Sequence, residues 1–134
     1  MAQVKLADGR YAELLATVAD APTGSWVYIA PAGGVVNTTV AATLVAATAG
    51  VRNVLNSIQV STDALGAATE FVIRDGAAGA VLFRMKLGTA AVMNAAQTFS
   101  PPLRGTVGNL LEYATLTASV TGGVFVNAQG AQGL

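Results

Sequence analysis

The chain has 134 residues, the size of one ordinary domain, and its seven basic residues balance seven acidic ones. These charges are interspersed, so the sequence has no basic footprint for nucleic acid or an anionic membrane surface, and neither partner is expected. Histidine and cysteine are absent, which excludes Ser-His-Asp and Cys-His catalysis, disulfides and thiolate metal sites.

A surplus of apolar residues is the second signal in the composition. Hydrophobic residues make up 53% of the chain and charged residues 10%, whereas charged residues are about 25% of an average domain. A solitary copy with so few charges would leave apolar patches in water, and such patches are typical of surfaces that bind partners. The composition favours a homo-oligomer, and the alternative is an alanine-rich monomer covered mainly by Thr, Ser, Asn and Gln.

Residues 1–24 are predicted to form an N-terminal arm, and residues 25–134 the main domain. Four apolar residues fall at helical spacing: Tyr11, Leu14, Leu15 and Val18. The arm is therefore either a short helix or extended chain, since two or three turns are not stable alone. Acidic residues near the N-terminus replace the apolar region that a signal peptide needs, so we expect a soluble product made inside the cell.

The longest uncharged stretch of the chain is not predicted to cross a membrane. Residues 21–51 carry no charge, and their number would suffice to span a bilayer. Pro22, Pro31 and the pair Gly33-Gly34 interrupt the stretch, so that no apolar run of about 18 residues remains. We therefore expect no contact with a membrane.

The first half of the main domain is predicted to form β-strands. β-branched and aromatic residues, bounded by turn residues, mark three segments: 25–30, 35–47 (one or two strands) and 51–62. In the third segment Val54, Ile58 and Val60 are predicted to share one side of the strand. The alternation is imperfect at Leu55 and Asn56.

A β-hairpin over residues 69–87 is the clearest local prediction. Two alternating runs, 69–75 and 80–87, flank the sequence Asp-Gly-Ala-Ala-Gly. The register that matches both faces places Ile73 opposite Phe83, Phe71 opposite Met85 and Glu70 opposite Lys86. Gly76 and Gly79 are expected to supply the positive φ angles of the turn.

The last third of the chain gives weaker signals. Residues 90–100 suit either a short helix or a strand, and Pro101-Pro102 are expected to end that element. Residues 109–119 read as a strand with Leu111 and Tyr113 on one face, and a glycine turn leads to another strand at 124–127. The residues from Gln129 onward are expected to be flexible or to pass to a partner. Together these short strands predict an all-β fold, an antiparallel β-sandwich or a jelly-roll-like barrel.

The remaining chemistry-bearing residues are better explained by structure than by function. Four carboxylates could act as acids or bases: Asp63, Glu70, Asp75 and Glu112. They are scattered without the spacing of a calcium loop, and the glycine pairs at 33 and 122 lack the following helix and lysine of a phosphate site. We predict no catalytic residue, no cofactor and no metal site.

Two further groups of residues are candidates for binding sites. The cations Arg74, Arg84 and Lys86 fall on the hairpin together with Glu70 and Asp75, so a paired, solvated face is preferred to a nucleic-acid contact. Trp26 and Tyr28 could form a platform for a sugar ring, but strand aromatics more commonly lie in a core or an interface.

The sequence resembles a family of small bacteriophage proteins encoded among virion structural genes. The resemblance runs from about Trp26 to Gly130 and rests on the order and spacing of six short runs: GGVVNTT (33–39), GVRN (50–53), IQVS (58–61), IRDGAAG (73–79), FSPPLRG (99–105) and GVFVNAQG (123–130).

The resemblance implies a virion protein without an active site, assembled in the host cytoplasm. The leading expectation is a capsid decoration (cement) protein, a homotrimer that clamps neighbouring major capsid proteins, with residues 1–24 as an anchor and apolar strand faces for self-association. The alternative is a tail-associated or receptor-binding module that recognises a host surface glycan through Trp26 or Tyr113.

Overall fold

A computed structural model describes residues 3–5, 11–13, 24–36, 39–90, 93–117 and 121–133. Within these ranges the chain forms ten strands and no helix, which confirms the predicted all-β class. The strands are β1 (Gln3–Lys5), β2 (Tyr11–Glu13), β3 (Gly24–Tyr28), β4 (Ala42–Val45), β5 (Arg52–Thr62), β6 (Thr69–Asp75), β7 (Ala80–Leu87), β8 (Met93–Arg104), β9 (Leu111–Thr115) and β10 (Val124–Gly133).

Strands β3 to β10 form an antiparallel sandwich with the strand order of a jelly roll. Along the chain, β3 pairs with β10, β4 with β9, β5 with β8 and β6 with β7, as in one long hairpin whose tip is β6–β7. Contacts of β10 with β5 and of β9 with β6 roll this hairpin into two sheets. The first sheet has the order β3-β10-β5-β8 and the second sheet β4-β9-β6-β7.

The core lies between the two sheets. One cluster of buried side chains fills it: Leu44, Leu55, Ile58, Val60, Leu65, Phe71, Ile73, Leu87, Leu111, Tyr113, Val124, Val126 and Ala128. Aromatic pairs connect the sheets at two places. Phe83 of β7 meets Phe99 of β8 edge to face at 5.3 Å between ring centroids, and Tyr28 of β3 meets Tyr113 of β9 at 5.7 Å. Such pairs favour the aligned packing of the sheets beyond what area burial alone provides.

The β6–β7 hairpin has the predicted register. Ile73 pairs with Phe83, Phe71 with Met85 and Glu70 with Lys86. The turn differs in one detail: Gly76 has a φ of 87°, but the second residue with positive φ is Ala78, at 52°, and not Gly79. Gly79 is needed for another reason, because a Cβ there would overlap the Asp75 carbonyl oxygen.

The prediction for β5 was wrong about which side Val54 occupies. On the β10 side the pairing of β5 shifts by one residue at Asn56, and on the β8 side Asn56 lies opposite the four residues 99–102 between the pairs Leu55–Leu103 and Ser57–Thr98. Such a bulge reverses the alternation. Leu55 is therefore buried in the core together with Ile58 and Val60, while Val54 lies on the opposite side.

Two expectations about strand ends are corrected. Pro101-Pro102 do not end β8, which continues to Arg104. Residues 99–102, which include both prolines, have no partner in the register with β5, and among the described residues β8 has no second neighbouring strand, so the missing N–H groups break no ladder hydrogen bond. Residues 129–133 belong to β10, where all five pair with β5 and residues 129–132 also pair with β3, so they are neither loose nor handed to a partner.

Of the two alternatives for the N-terminal arm, a short helix or extended chain, the helix is wrong at residues 11–13. Tyr11–Glu13 is β2, which pairs antiparallel with β1. The rest of the predicted helix, including Leu14, Leu15 and Val18, lies outside the described residues. Strand β3 begins at Gly24, the last residue assigned to the arm.

Candidate interaction surface

The outer side of the first sheet carries uncharged side chains over most of its area. We call this surface the uncharged face, and it consists of Ser25, Val27, Ile29, Ser57, Gln59, Ser61, Asn94, Ala96, Thr98, Phe125, Asn127 and Gln129. Only two charged residues occur in the four strands of this sheet, Arg52 and Arg104. Both lie beyond the bulge at Asn56, towards one end of the sheet.

The alternation of the strands places these residues on one side. In β10, Val124, Val126 and Ala128 are buried, so Asn127 and Gln129 point outward. The register then sets Asn127 beside Gln59 and Gln129 beside Ser57. Side chains directly opposite each other on antiparallel strands share a face, which makes the uncharged face continuous from β3 to β8.

Apolar exposure on the uncharged face is concentrated on β3 and the residue that follows it. Val27 is 66% exposed and Ile29 is 74% exposed. Both line a shallow groove of about 420 Å³ that crosses all four strands and also includes Gln59, Asn127 and Gln129. Exposed apolar side chains are common on protein surfaces, so the combination of Val27 and Ile29 with an uncharged groove, and not their exposure alone, makes this surface the candidate contact.

The inner side of β3 is fixed to the core, so the strand presents its outer side rigidly. The Trp26 indole N–H donates a hydrogen bond to the Ala131 carbonyl at 3.2 Å. The Tyr28 and Tyr113 hydroxyls are 3.0 Å apart and share a hydrogen bond. Tyr113 also stacks on Phe71, and burial and the Tyr28 hydroxyl raise the pKa of Tyr113 far above its ordinary value.

These contacts occupy the aromatic residues that were considered for binding a glycan. Tyr113 is fully buried, and Trp26 packs against the core. The Tyr113 ring therefore offers no open stacking surface, and Trp26 and Tyr28 are partly buried against the core, in agreement with the predicted preference for a core or interface role.

The outer side of the second sheet is charged and largely paired within itself. Arg74 contacts Glu112 at 2.7 Å, and this pair is shielded, with side-chain exposures of 18% and 7%. Arg84 contacts Glu70 at 3.0 Å in a more exposed pair. The ion-pair partner of Glu70 is thus Arg84, one step diagonal from the predicted Lys86, although Lys86 is its neighbour in register.

Each of the four carboxylates named from the sequence holds part of the fold. Glu112 accepts a second bond from the Ala78 N–H and thereby fixes the β6–β7 turn. Asp63 accepts a bond from the Gly123 N–H, and Glu70 is paired as described above. Asp75 lies at the β6–β7 turn and binds the β8–β9 loop, because its carboxylate accepts hydrogen bonds from the Thr106 amide and hydroxyl and from the Asn109 side chain.

The surroundings of Asp75 favour its ionised form. Burial opposes ionisation, but the hydrogen bonds from Thr106 and Asn109, together with the charge of Arg52, outweigh it and lower the pKa of Asp75. This arrangement stabilises a loop and activates no neighbouring nucleophile. Among the described residues there is no group of three or more potential metal ligands.

The uncharged face was missed by residue-by-residue reasoning, because serine, glutamine and asparagine on strands carry no motif. The signal that could have found it is the distribution of charge, since β3 and β10 contain no charged residue. No helix in the part of the chain that the structure describes is long and apolar enough to cross a membrane. Comparisons with protein-family models, curated proteins and solved structures give no match, so function is inferred from the surface itself.

Proposed function

We propose that this chain is a structural protein of a tailed-bacteriophage virion, a decoration protein that binds the outer surface of the major capsid protein lattice. The uncharged face is the proposed contact surface, and its exposed Val27 and Ile29 are the observation that carries the proposal. In this role the protein acts by binding and stabilising, without chemistry.

The outer sides of the two sheets differ in charge, and this difference supports an orientation in which the uncharged face lies against the capsid. The outer side of the second sheet bears the exposed charges of Glu70, Arg84 and Lys86, which suit a side that faces solvent, and beneath them the shielded pair of Arg74 and Glu112. The uncharged face can be covered by another protein without removing an ion from water, and that removal is the largest cost of burying a surface. The two sides therefore suit a layer that has a particle beneath it and water above it.

The fold and the chemistry of the site are compatible with such a role. Jelly rolls occur in viral capsid proteins, and also in lectin domains and cupins, so the fold supports the proposal only by analogy. The carboxylates described above are all engaged in holding loops and strands. The resemblance to phage virion proteins points in the same direction.

The protein would stabilise the capsid through the binding of many copies. Burying apolar area contributes about 25 cal/mol per Å² before the cost of association is subtracted. Each copy contributes a modest binding free energy. Because adjacent capsid subunits bind the same decoration protein, they must separate from it before the shell ruptures. Particles that carry the protein should thus withstand higher temperature than particles stripped of it.

The test is a binding assay on stripped virions with charge introduced into the uncharged face. Gln59→Glu places one carboxylate at the centre of the face and should lower the affinity for the particle by about tenfold or more, since that charge must be dehydrated. Thr89→Glu adds the same charge at an exposed loop position outside the face and should bind like the wild type.

Two results would contradict the proposal. Equal binding by Gln59→Glu and the wild type would show that the uncharged face is not the contact, and no binding by the folded wild type would remove the decoration role altogether. Quantitative mass spectrometry of the virion separates the locations: many copies per particle indicate the shell, and a handful indicate the tail.

A further inference from the structure

The two sheets have four edges, and three of them carry features that prevent pairing with another strand. Strand β8 contains Pro101-Pro102, which cannot donate hydrogen bonds. Strand β7 carries Arg84 and Lys86 and shifts register near the turn. Strand β4 has only four residues and shifts register after Thr43. Prolines, charges, bulges and shortness are the devices by which edge strands avoid joining other chains.

Strand β3 has fewer of these features. Its five residues contain no proline and no charge, and its pairing with β10 runs through five consecutive residues without a shift. Within the described residues no strand pairs with its other side. Val27 and Ile29, two strongly exposed apolar side chains, lie on or directly after this strand.

We propose that β3 pairs antiparallel with β3 of a second copy of the chain, so that the protein is a two-fold dimer. A residue near a two-fold axis meets its own copy, so any charge there would face an equal charge. The edge of β3 has none, whereas self-pairing of β7 would bring Arg84 and Lys86 close to their own copies. An antiparallel edge is also self-complementary in its backbone donors and acceptors.

The dimer would double the uncharged face. Antiparallel pairing of the two β3 strands extends the first sheet to eight strands, in the order β8-β5-β10-β3 followed by β3-β10-β5-β8 of the second copy. The two-fold axis is perpendicular to the sheet, so both uncharged faces lie on the same side. The use of this enlarged face rests on the proposed function, whereas the pairing itself does not. A dimer replaces the trimer expected from the sequence.

The experiment measures oligomeric state by sedimentation velocity over a range of protein concentration. The wild type should sediment as a dimer, and Val27→Lys should raise the dissociation constant by about tenfold or more, since the two lysines lie near each other across the axis. Val81→Lys makes the same change at an exposed position on the β7 edge and should leave the dimer intact. Circular dichroism shows whether each variant is folded.

Hydrogen exchange provides a second measurement that locates the contact. Amides of β3 should exchange more slowly as the wild type dimerises, and this concentration dependence should be absent in Val27→Lys. A monomeric or trimeric wild type, or equal loss of the dimer in Val81→Lys, would overturn the proposal. Particle binding by a monomeric wild type would leave the decoration role standing, while a β3 dimer that binds no particle would remove that role and keep the dimer.

Discussion

The sequence predicts that Asp75 has a structural role, but it does not predict which groups donate hydrogen bonds to its carboxylate. The sequence places it beside a glycine turn, where aspartate commonly bonds to its own backbone. In the structure its carboxylate binds Thr106 and Asn109, more than thirty residues away. Local sequence reveals the preference of a side chain for backbone donors, but not which loop supplies them.

The lowered pKa of Asp75 makes a prediction about acid stability. Its folded pKa lies below the ordinary value of 3.8, so the carboxylate stabilises the fold fully above that value, and the contribution is lost as the pH falls through the folded pKa. Asp75→Asn should lower the free energy of unfolding at pH 7 by about 1 to 3 kcal/mol. The difference from the wild type should shrink between about pH 5 and pH 2.

Urea unfolding at several pH values measures this difference. Asp63→Asn is the matched control, since it removes a carboxylate that accepts a single backbone bond in another loop. If the gap between the wild type and Asp75→Asn stays constant or widens on acidification, the ionised form of Asp75 is not the stabilising one.

Asn53 is a buried residue whose role no local pattern predicts. Its amide donates to the carbonyls of Ala46 and Asn109, and its side-chain oxygen accepts a bond from Gln132. The fully buried Asn53 side chain thereby joins the segments that contain Ala46, Asn109 and Gln132, which are distant from one another in sequence. The hydrogen-bond partners of this buried side chain can be predicted only when the positions of the strands are known.

At the scale of elements, local pairing was predictable and long-range pairing was not. The β6–β7 register follows from two adjacent runs whose faces agree. The bulge at Asn56, the passage of β8 through Pro101-Pro102 and the inclusion of residues 129–133 in β10 all depend on neighbours far along the chain. The Leu55–Asn56 break in alternation was visible in the sequence, but its cause was not.

The bulge between β5 and β10 leads to a prediction for Gly130. A Cβ at this position would overlap the Val54 carbonyl oxygen and lie 2.5 Å from the Trp26 ring. Gly130→Ala should therefore force β3 and β5 away from β10 and lower the free energy of unfolding by about 1 to 3 kcal/mol. Trp26 is the only tryptophan, so its fluorescence reports the displacement directly during urea unfolding.

Gly88→Ala is the control for this change. A Cβ at Gly88 meets no heavy atom within 4 Å, so the substitution should leave stability close to that of the wild type. Equal stability of Gly130→Ala and Gly88→Ala, with unchanged Trp26 fluorescence, would show that the close approach of Trp26 to Gly130 does not constrain the first sheet.

At the scale of the whole molecule, the few charged residues are distributed unequally between the two sheets. The low charge content is not spread evenly, because six charged residues lie in the strands of the second sheet and two in those of the first. A surface with few charges was predictable from composition alone, whereas its location required the strand order. Within strands β3 to β10, the jelly roll therefore gathers most of the charges of a sequence with scattered charges on one of its two sheets.

This separation of charge predicts how particle binding responds to salt. If the uncharged face is the contact, few ion pairs form across the interface, and raising NaCl from about 0.05 to about 0.5 M should change the affinity by less than roughly threefold. Sulfate should strengthen binding, because it favours the burial of apolar surface. Binding through the charged side of the second sheet would instead weaken steeply as NaCl screens Arg84, Lys86 and Glu70. A titration of stripped particles at several NaCl concentrations decides between the two sides, and a steep loss of affinity would assign the contact to the second sheet.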